Sequence, residues 1–145
     1  MPAKATLTPQ NQPHPPLRVL IVDDDELDRF VIRRSFNTIN APLELIEVAD
    51  PREAVQSIKD LQPDVTLLDI QMPNMNGFEV LQALAEDQPP IESKVVMLSS
   101  SAYPEDEKKA LKLGAQTYRT KPSTLDAYVK LAEDIHRTFG PGKAA

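Results

Sequence analysis

Residues 17–25 read LRVLIVDDD, and this stretch decides the fold. Leu17–Val22 is a short, mostly apolar run rich in β-branched side chains, and it stops abruptly at three aspartates. A strand covered on both faces has this near-continuous apolar character, whereas one with a wet face alternates. The signature recurs. Asp64–Leu68 (DVTLL) ends at Asp69, and Lys94–Leu98 (KVVML) ends at Ser99-Ser100-Ser101. Two further runs are more polar, Leu43–Val48 (LELIEV) and Gln116–Thr120.

Helical patterns fill the intervals. Leu27 to Ile39 reads as the first helix. Asp50-Pro51-Arg52-Glu53 sets an N-cap acid, a proline at the first helical position and a glutamate at the third. Val55, Ile58 and Leu61 follow at helical spacing before Pro63. The loop IQMPNMNG leads to a helix bearing Phe78, Leu81 and Leu84 on one face. Pro104-Glu105-Asp106-Glu107 opens another, with Lys108, Lys109 and Lys112 towards its end and Gly114 just beyond, an order that complements the helix dipole. The last runs from about Ser123 to Phe139, with Leu125, Tyr128, Val129, Ala132 and Ile135 as its apolar stripe. Five strands alternating with five helices predict an α/β fold: a doubly wound, five-stranded parallel sheet of the flavodoxin-like order 2-1-3-4-5.

The chain has 145 residues, 41% of them hydrophobic and 26% charged, which fits one domain with its own core. The folded unit is expected over residues 17–139. Residues 1–16 hold five of the 14 prolines and hardly any large apolar side chain, so a disordered arm is expected there, with a flexible tail over 140–145. The absence of cysteine excludes a disulfide framework, a thiolate zinc site and a cysteine nucleophile. No apolar run approaches the roughly 20 residues of a spanning helix, and the N-terminus lacks a signal-type apolar core. A soluble, cytoplasmic protein with no membrane insertion is expected. The net charge of −6 argues against direct nucleic-acid binding, which depends on Lys and Arg neutralising phosphates.

The acids fall at telling places. Asp23 and Asp24 follow the first strand, Asp69 ends the third, Ser99 follows the fourth and Lys121 the fifth. In a parallel doubly wound sheet these carboxyl ends share one rim, where such folds bind their ligands. A lone Asp at a strand end is usually a cap or turn residue, and DDDEL could simply cap the first helix. The whole ordered set is not a capping pattern. Three clustered carboxylates repel one another unless a cation compensates, and an all-oxygen set suits Mg²⁺, which commonly binds phosphate oxygens as well. Lys121 offers a positive charge to such a group and Ser99 a hydroxyl donor. An aspartate carboxylate can itself accept a phosphoryl group covalently.

With VLIVDDDEL (19–27), VTLLDIQMPNMNGFEVL (65–81), VVMLSSS (95–101) and GAQTYRTKP (114–122) in this order, the chain resembles the response-regulator receiver domains of two-component signalling, CheY-like in architecture, in a stand-alone form. The resemblance covers about Leu17 to Phe139. It implies Asp69 as phosphoacceptor, Asp24 as a direct Mg²⁺ ligand, Asp23 as a ligand mainly through a metal-bound water, and the Gln71 carbonyl as a further ligand. Ser99 and the Ser100 backbone N–H would approach the phosphoryl oxygens, and Lys121 would pair with them. Tyr118 would be the aromatic switch residue that turns inward with Ser99. Gln71 and Ser101 hold positions that tune the lifetime of the aspartyl phosphate, and the Lys121–Pro122 peptide is expected cis. The implied partners are a histidine kinase or histidine phosphotransfer protein as donor and an unknown downstream protein target, with a homodimer also possible.

The chain departs from the family pattern at Ser99, where Thr is commoner, at Asn76, where Asp often precedes the loop glycine, and at Ser123, where an apolar residue is frequent. Phe30 is a candidate kinase contact or a scattered surface aromatic. Tyr128 and Phe139 are expected in the core, and neither His14 nor His136 has ligand spacing. Two other functions compete with the switch. A phosphorylation-independent adaptor would tend to have lost the acids. A hydrolase turning over an aspartyl phosphate typically has a second acid two residues after the nucleophile, where this chain has Gln71. A flavodoxin-type FMN protein needs a phosphate loop after the first strand, and none is present.

Overall fold

In the computed structural model, which describes residues 15–140, strand β1 (Leu17–Val22) is flanked on both sides by partners. It pairs in parallel with β2 (Leu43–Val48) and with β3 (Val65–Leu68). The sheet continues through β4 (Val95–Ser99) to β5 (Thr117–Thr120), in the order β2-β1-β3-β4-β5 expected from the sequence. The expected N-terminal arm and C-terminal tail lie almost wholly outside the described residues.

Alternation along β1 explains the two-faced core. Leu20 and Val22 face one layer with Leu68, Val95 and Met97; Leu17, Val19 and Ile21 face the other with Val65, Leu67, Val96 and Leu98. The first layer is closed by α2 (Ala54–Leu61), α3 (Gly77–Glu86) and α4 (Pro104–Lys112), through Ile58, Val80, Leu81, Leu84 and Ala110. The second is closed by α1 (Glu26–Thr38) and α5 (Leu125–Phe139), through Ile32, Phe36, Tyr128, Leu131 and Ile135. All five apolar residues of β1 are fully buried, and each such side chain contributes about 1.5–3 kcal/mol. Tyr128 is therefore core as expected, and Phe139 packs against the same cluster while partly exposed.

Polar side chains set the element boundaries. Asp25, rather than a later residue, is the N-cap of α1: its carboxylate accepts from the backbone N–H of Leu27 and Asp28, so the helix begins at Glu26. Asp64 is not in β3; its carboxylate accepts from the Arg18 N–H at 2.8 Å and so anchors the start of β1. The Asp50-Pro51-Arg52-Glu53 signal opens a 3₁₀ turn (Pro51–Glu53) that runs into α2. Asn76 forms a full capping box with Glu79, each side chain accepting from the other's backbone N–H at 2.9 Å. An amide oxygen thus does the capping work of the acid usual there. Gly114, past the end of α4, sits at φ +111°, the left-handed geometry of a helix C′ residue.

Candidate functional site

Parallel pairing brings the carboxyl ends of β1, β3, β4 and β5 to one rim. Asp69 is tied to that rim through its own backbone N–H, which donates to the Val22 carbonyl at 3.0 Å, and Asp23 through its N–H to Val48 at 3.2 Å. Both side chains are buried, while Asp24 projects into solvent. One carboxylate oxygen from each of Asp23, Asp24 and Asp69 lies within 4.8 Å of the others, an all-oxygen set able to hold a divalent cation.

Lys121 bridges the buried acids from the end of β5. Its backbone N–H donates to Ser99 at 2.7 Å, and its Nζ reaches the Asp23 carboxylate at 2.9 Å and Asp69 at 3.5 Å. The same Nζ is closest to Asp28, at 2.7 Å, a residue that sequence reasoning missed. Its signal lay in the run DDDELD: Asp28 is the third residue of α1, in the turn whose cap holds it over the strand ends. Arg29, next along, donates to the Asp23 carbonyl at 2.7 Å and to Glu47 at 3.1 Å, bracing α1 against β1 and β2.

Electrostatics at this cluster are strained in a consistent direction. Burial, then the neighbouring charge of Asp23, pushes the Asp69 carboxyl up to about 6, against the opposing pull of Lys121 and the Ile70 N–H. Burial also raises Asp23, although it accepts from the Asp25 N–H and from Lys121. Burial works against the Lys121 ammonium, but its bonds to Asp28 and Asp23 prevail and hold its pKa above the ordinary lysine value. The cluster carries more negative charge than one lysine neutralises. That excess is what a hard cation would relieve, so the donor set fits one.

Ser99 is the fully buried last residue of β4, not the first after it, and its hydroxyl accepts from the Ser101 N–H at 3.1 Å. Ser100 is exposed beside it, and Gln71 is exposed two residues beyond Asp69. Tyr118 is half-buried. Its hydroxyl donates to the Ser101 carbonyl at 2.6 Å, and the Ser101 hydroxyl to Asp106 at 2.6 Å, linking β5, the loop after β4 and α4. Gly77 packs the start of α3 directly beneath Asp69: a Cβ there would collide with the Asp69 carbonyl oxygen and come within 2.9 Å of Met97 Cε.

One expectation is corrected. Among the described residues the cis peptide bond is Gln88–Pro89, and Lys121–Pro122 is trans. The trans X-Pro form is intrinsically favoured by about 0.5–1 kcal/mol, and here it still places Lys121 Nζ on the carboxylates. Phe30, read as a candidate kinase contact or a scattered surface aromatic, is exposed: it stands half out of α1 beside Leu27, with the Arg33 guanidinium 5.4 Å from its ring centre. Among the described residues, no helix is long and apolar enough to cross a membrane.

Comparison with known proteins agrees with this geometry. The chain is 42% identical over 109 residues to a protein-glutamate methylesterase/protein-glutamine glutaminase of Thiobacillus denitrificans, covering 73% of this chain and 30% of that protein. It spans about a third of the length of the first curated relatives it matches. Among solved structures it is similar to the phosphorylated cyanobacterial phytochrome response regulator RcpA, with TM-score 0.75 and 25% identity over 86% of this chain and 94% of that one. It is also similar to a chain of the CheX–CheY–BeF₃–Mg²⁺ complex from Borrelia burgdorferi, with TM-score 0.70 and 28% identity over 86% and 90% of the two chains. The family model for the response regulator receiver domain matches residues 19–133, and the chain belongs to that family.

Proposed function

We propose that this chain is a response-regulator receiver domain in which Asp69 accepts a phosphoryl group and thereby changes a protein-binding surface. The observation that carries this reading is the buried Asp69 carboxylate at a strand end, grouped with Asp23 and Asp24 and with Lys121 Nζ at 3.5 Å. In the transfer, the P–N bond of a phosphohistidine donor breaks as an Asp69 carboxylate oxygen forms the new P–O bond; water later hydrolyses the acyl phosphate. Burial raises the basicity of Asp69, which suits it as a nucleophile once it is ionised. Lys121 is near enough to pair with a phosphoryl oxygen after a small rotation, and the Ser99 hydroxyl and Ser100 N–H lie on the adjacent strand end to hydrogen-bond the others.

The cation proposed is Mg²⁺: Asp24, Asp69 and the Gln71 carbonyl would hold it, and Asp23 would act mainly through a bound water. The relative from Borrelia burgdorferi carries Mg²⁺ together with BeF₃, which supports that assignment. When bound, Mg²⁺ neutralises the charge of the carboxylates and the incoming phosphoryl oxygens. Asp23 suits the outer role because both its oxygens are already engaged, one by the Asp25 N–H and one by Lys121.

Phosphorylation is read out through Tyr118 and Ser99. The Tyr118 hydroxyl holds the Ser101 carbonyl, so movement of Ser99 towards phosphate pulls on the loop that carries this bond. The donor is a histidine kinase or phosphotransfer protein docking over Leu27 and Phe30 of α1, and the cytoplasm is the setting. The downstream target, or a second copy, meets exposed apolar side chains at α4 and α5, where Tyr103, Leu111 and Leu125 stand out to solvent. Intact-protein mass after incubation with acetyl phosphate, with and without Mg²⁺, tests the chemistry. A Mg²⁺-dependent gain of one phosphoryl group, absent from Asp69→Ala, is the expected result; no gain on folded wild type would overturn the reading.

A further inference from the structure

Lys121 is shared among three carboxylates, and the one that holds it most closely is outside the metal-binding triad. Its side chain is 9% exposed, with Nζ at 2.7 Å from Asp28, 2.9 Å from Asp23 and 3.5 Å from Asp69. The contact to Asp69 is too long for a hydrogen bond, so the ammonium is committed to Asp28 and Asp23. Asp28 is free to take it, because its own N–H is satisfied by the Asp25 cap and its carboxylate has no competing partner among the described residues. The helix start that carries Asp28 is itself fixed, since Arg29 donates to the Asp23 carbonyl and to Glu47.

Resting on the reading of Asp69 as phosphoacceptor, we propose that Asp28 is a positioning residue that competes with the phosphoryl group for Lys121 and so sets how firmly the phosphorylated state is held. Two effects of its charge have the same sign. A carboxylate at 2.7 Å retains the ammonium that a phosphoryl oxygen must recruit. A negative charge on the same lysine also repels the added phosphoryl charge. Neutralising Asp28 while keeping its shape therefore strengthens phosphoryl binding. A device that only oriented Lys121 would do the opposite, because losing it would weaken that binding.

The test uses Asp28→Asn, which keeps an oxygen acceptor of the same geometry and removes the charge. Beryllofluoride is titrated into wild type, Asp28→Asn, Lys121→Met and the double variant at saturating Mg²⁺, with Asp69→Ala as the blank. Asp28→Asn is expected to bind about three- to tenfold more tightly than wild type, a single unit charge acting at short range in a partly solvated site. The gain should shrink in the Lys121→Met background, where only the repulsion between Asp28 and the phosphoryl mimic remains, whereas a merely structural effect of the substitution would leave it unchanged. A second readout needs no metal. Urea unfolding of the same four proteins in chelator should show Asp28 and Lys121 coupled by about threefold or more in the unfolding equilibrium constant. If wild type binds beryllofluoride but Asp28→Asn binds equally or more weakly, or gains as much without Lys121, the competition is refuted and the phosphoacceptor reading stands. If wild type shows no binding that Asp69→Ala abolishes, both fall together.

Discussion

Replacing Asp69 by Asn in the metal-free protein should make the fold more stable, by an amount that grows with pH. The folded carboxyl titrates at about 6, against 3.8 for an ordinary aspartate. The native state thus holds this proton more tightly than the unfolded chain does. Its contribution to stability is fully present below pH 4 and is lost as pH rises through 6. A tenfold difference in proton affinity is worth about 1.4 kcal/mol, so the ionised group costs the fold about 3 kcal/mol at pH 7.5 and only about 1 kcal/mol at pH 4.5. Asn keeps the oxygen that accepts from the Ile70 N–H at 2.9 Å and cannot ionise, so it escapes the cost without opening a cavity. Urea unfolding in chelator at the two pH values measures it: the variant's advantage should rise by about 2 kcal/mol from pH 4.5 to 7.5 at unchanged m-value. Adding Mg²⁺ should then stabilise wild type, by about 2.7 kcal/mol at a hundred times its Kd, and the variant much less, closing the gap. A pH-independent advantage, or a variant less stable than wild type at pH 7.5, would refute the account of Asp69 as a buried, uncompensated charge.

Gly77→Ala should destabilise the protein by about 1–3 kcal/mol in urea unfolding and slow acetyl-phosphate labelling, because the added methyl collides with the Asp69 carbonyl. Asn76→Ala should lose about 1 kcal/mol with labelling unchanged, since the capping box lies one residue from that contact but makes none with the acids. Ser99→Ala should bind beryllofluoride severalfold more weakly by titration, having lost a buried hydroxyl with no other donor in its place.

The fold was legible because β1, β3 and β4 are covered on both faces, and such strands announce themselves as unbroken apolar runs. The strand ends were legible for the opposite reason: charged or hydroxyl residues stop those runs at the rim. Less was legible wherever one polar side chain could serve two roles. Asp25 and Asp64 each sit in an acidic or strand-like context, yet one caps a helix and the other anchors the backbone of β1. Asp28 was missed because its pairing with Lys121 depends on the direction of α1 across the sheet, which brings it to a lysine 93 residues away. No local pattern encodes that distance. The Lys121–Pro122 isomer likewise came from resemblance alone, and the lysine reaches the acids with that bond trans.

Asp23 and Asp69 break the rule that buried charges be fully paired, and they do so together. Asp23 and Asp69 are both buried and both shifted towards their neutral forms by burial, while the lysine beside them is divided among three partners. A site tuned for stability alone would replace such a cluster by apolar side chains, since buried charges seldom repay their desolvation. The excess negative charge is useful only if something positive arrives. A ligand that relieves it shifts the population by as much as it is preferred, so the strain stored at the rim sets the scale of the response. On the proposed reading, Lys121 is where that response becomes mechanical. Any new anion on Asp69 must draw the ammonium from Asp28 or share it, and its backbone N–H is bonded to Ser99, on the strand whose end carries the loop held by Tyr118.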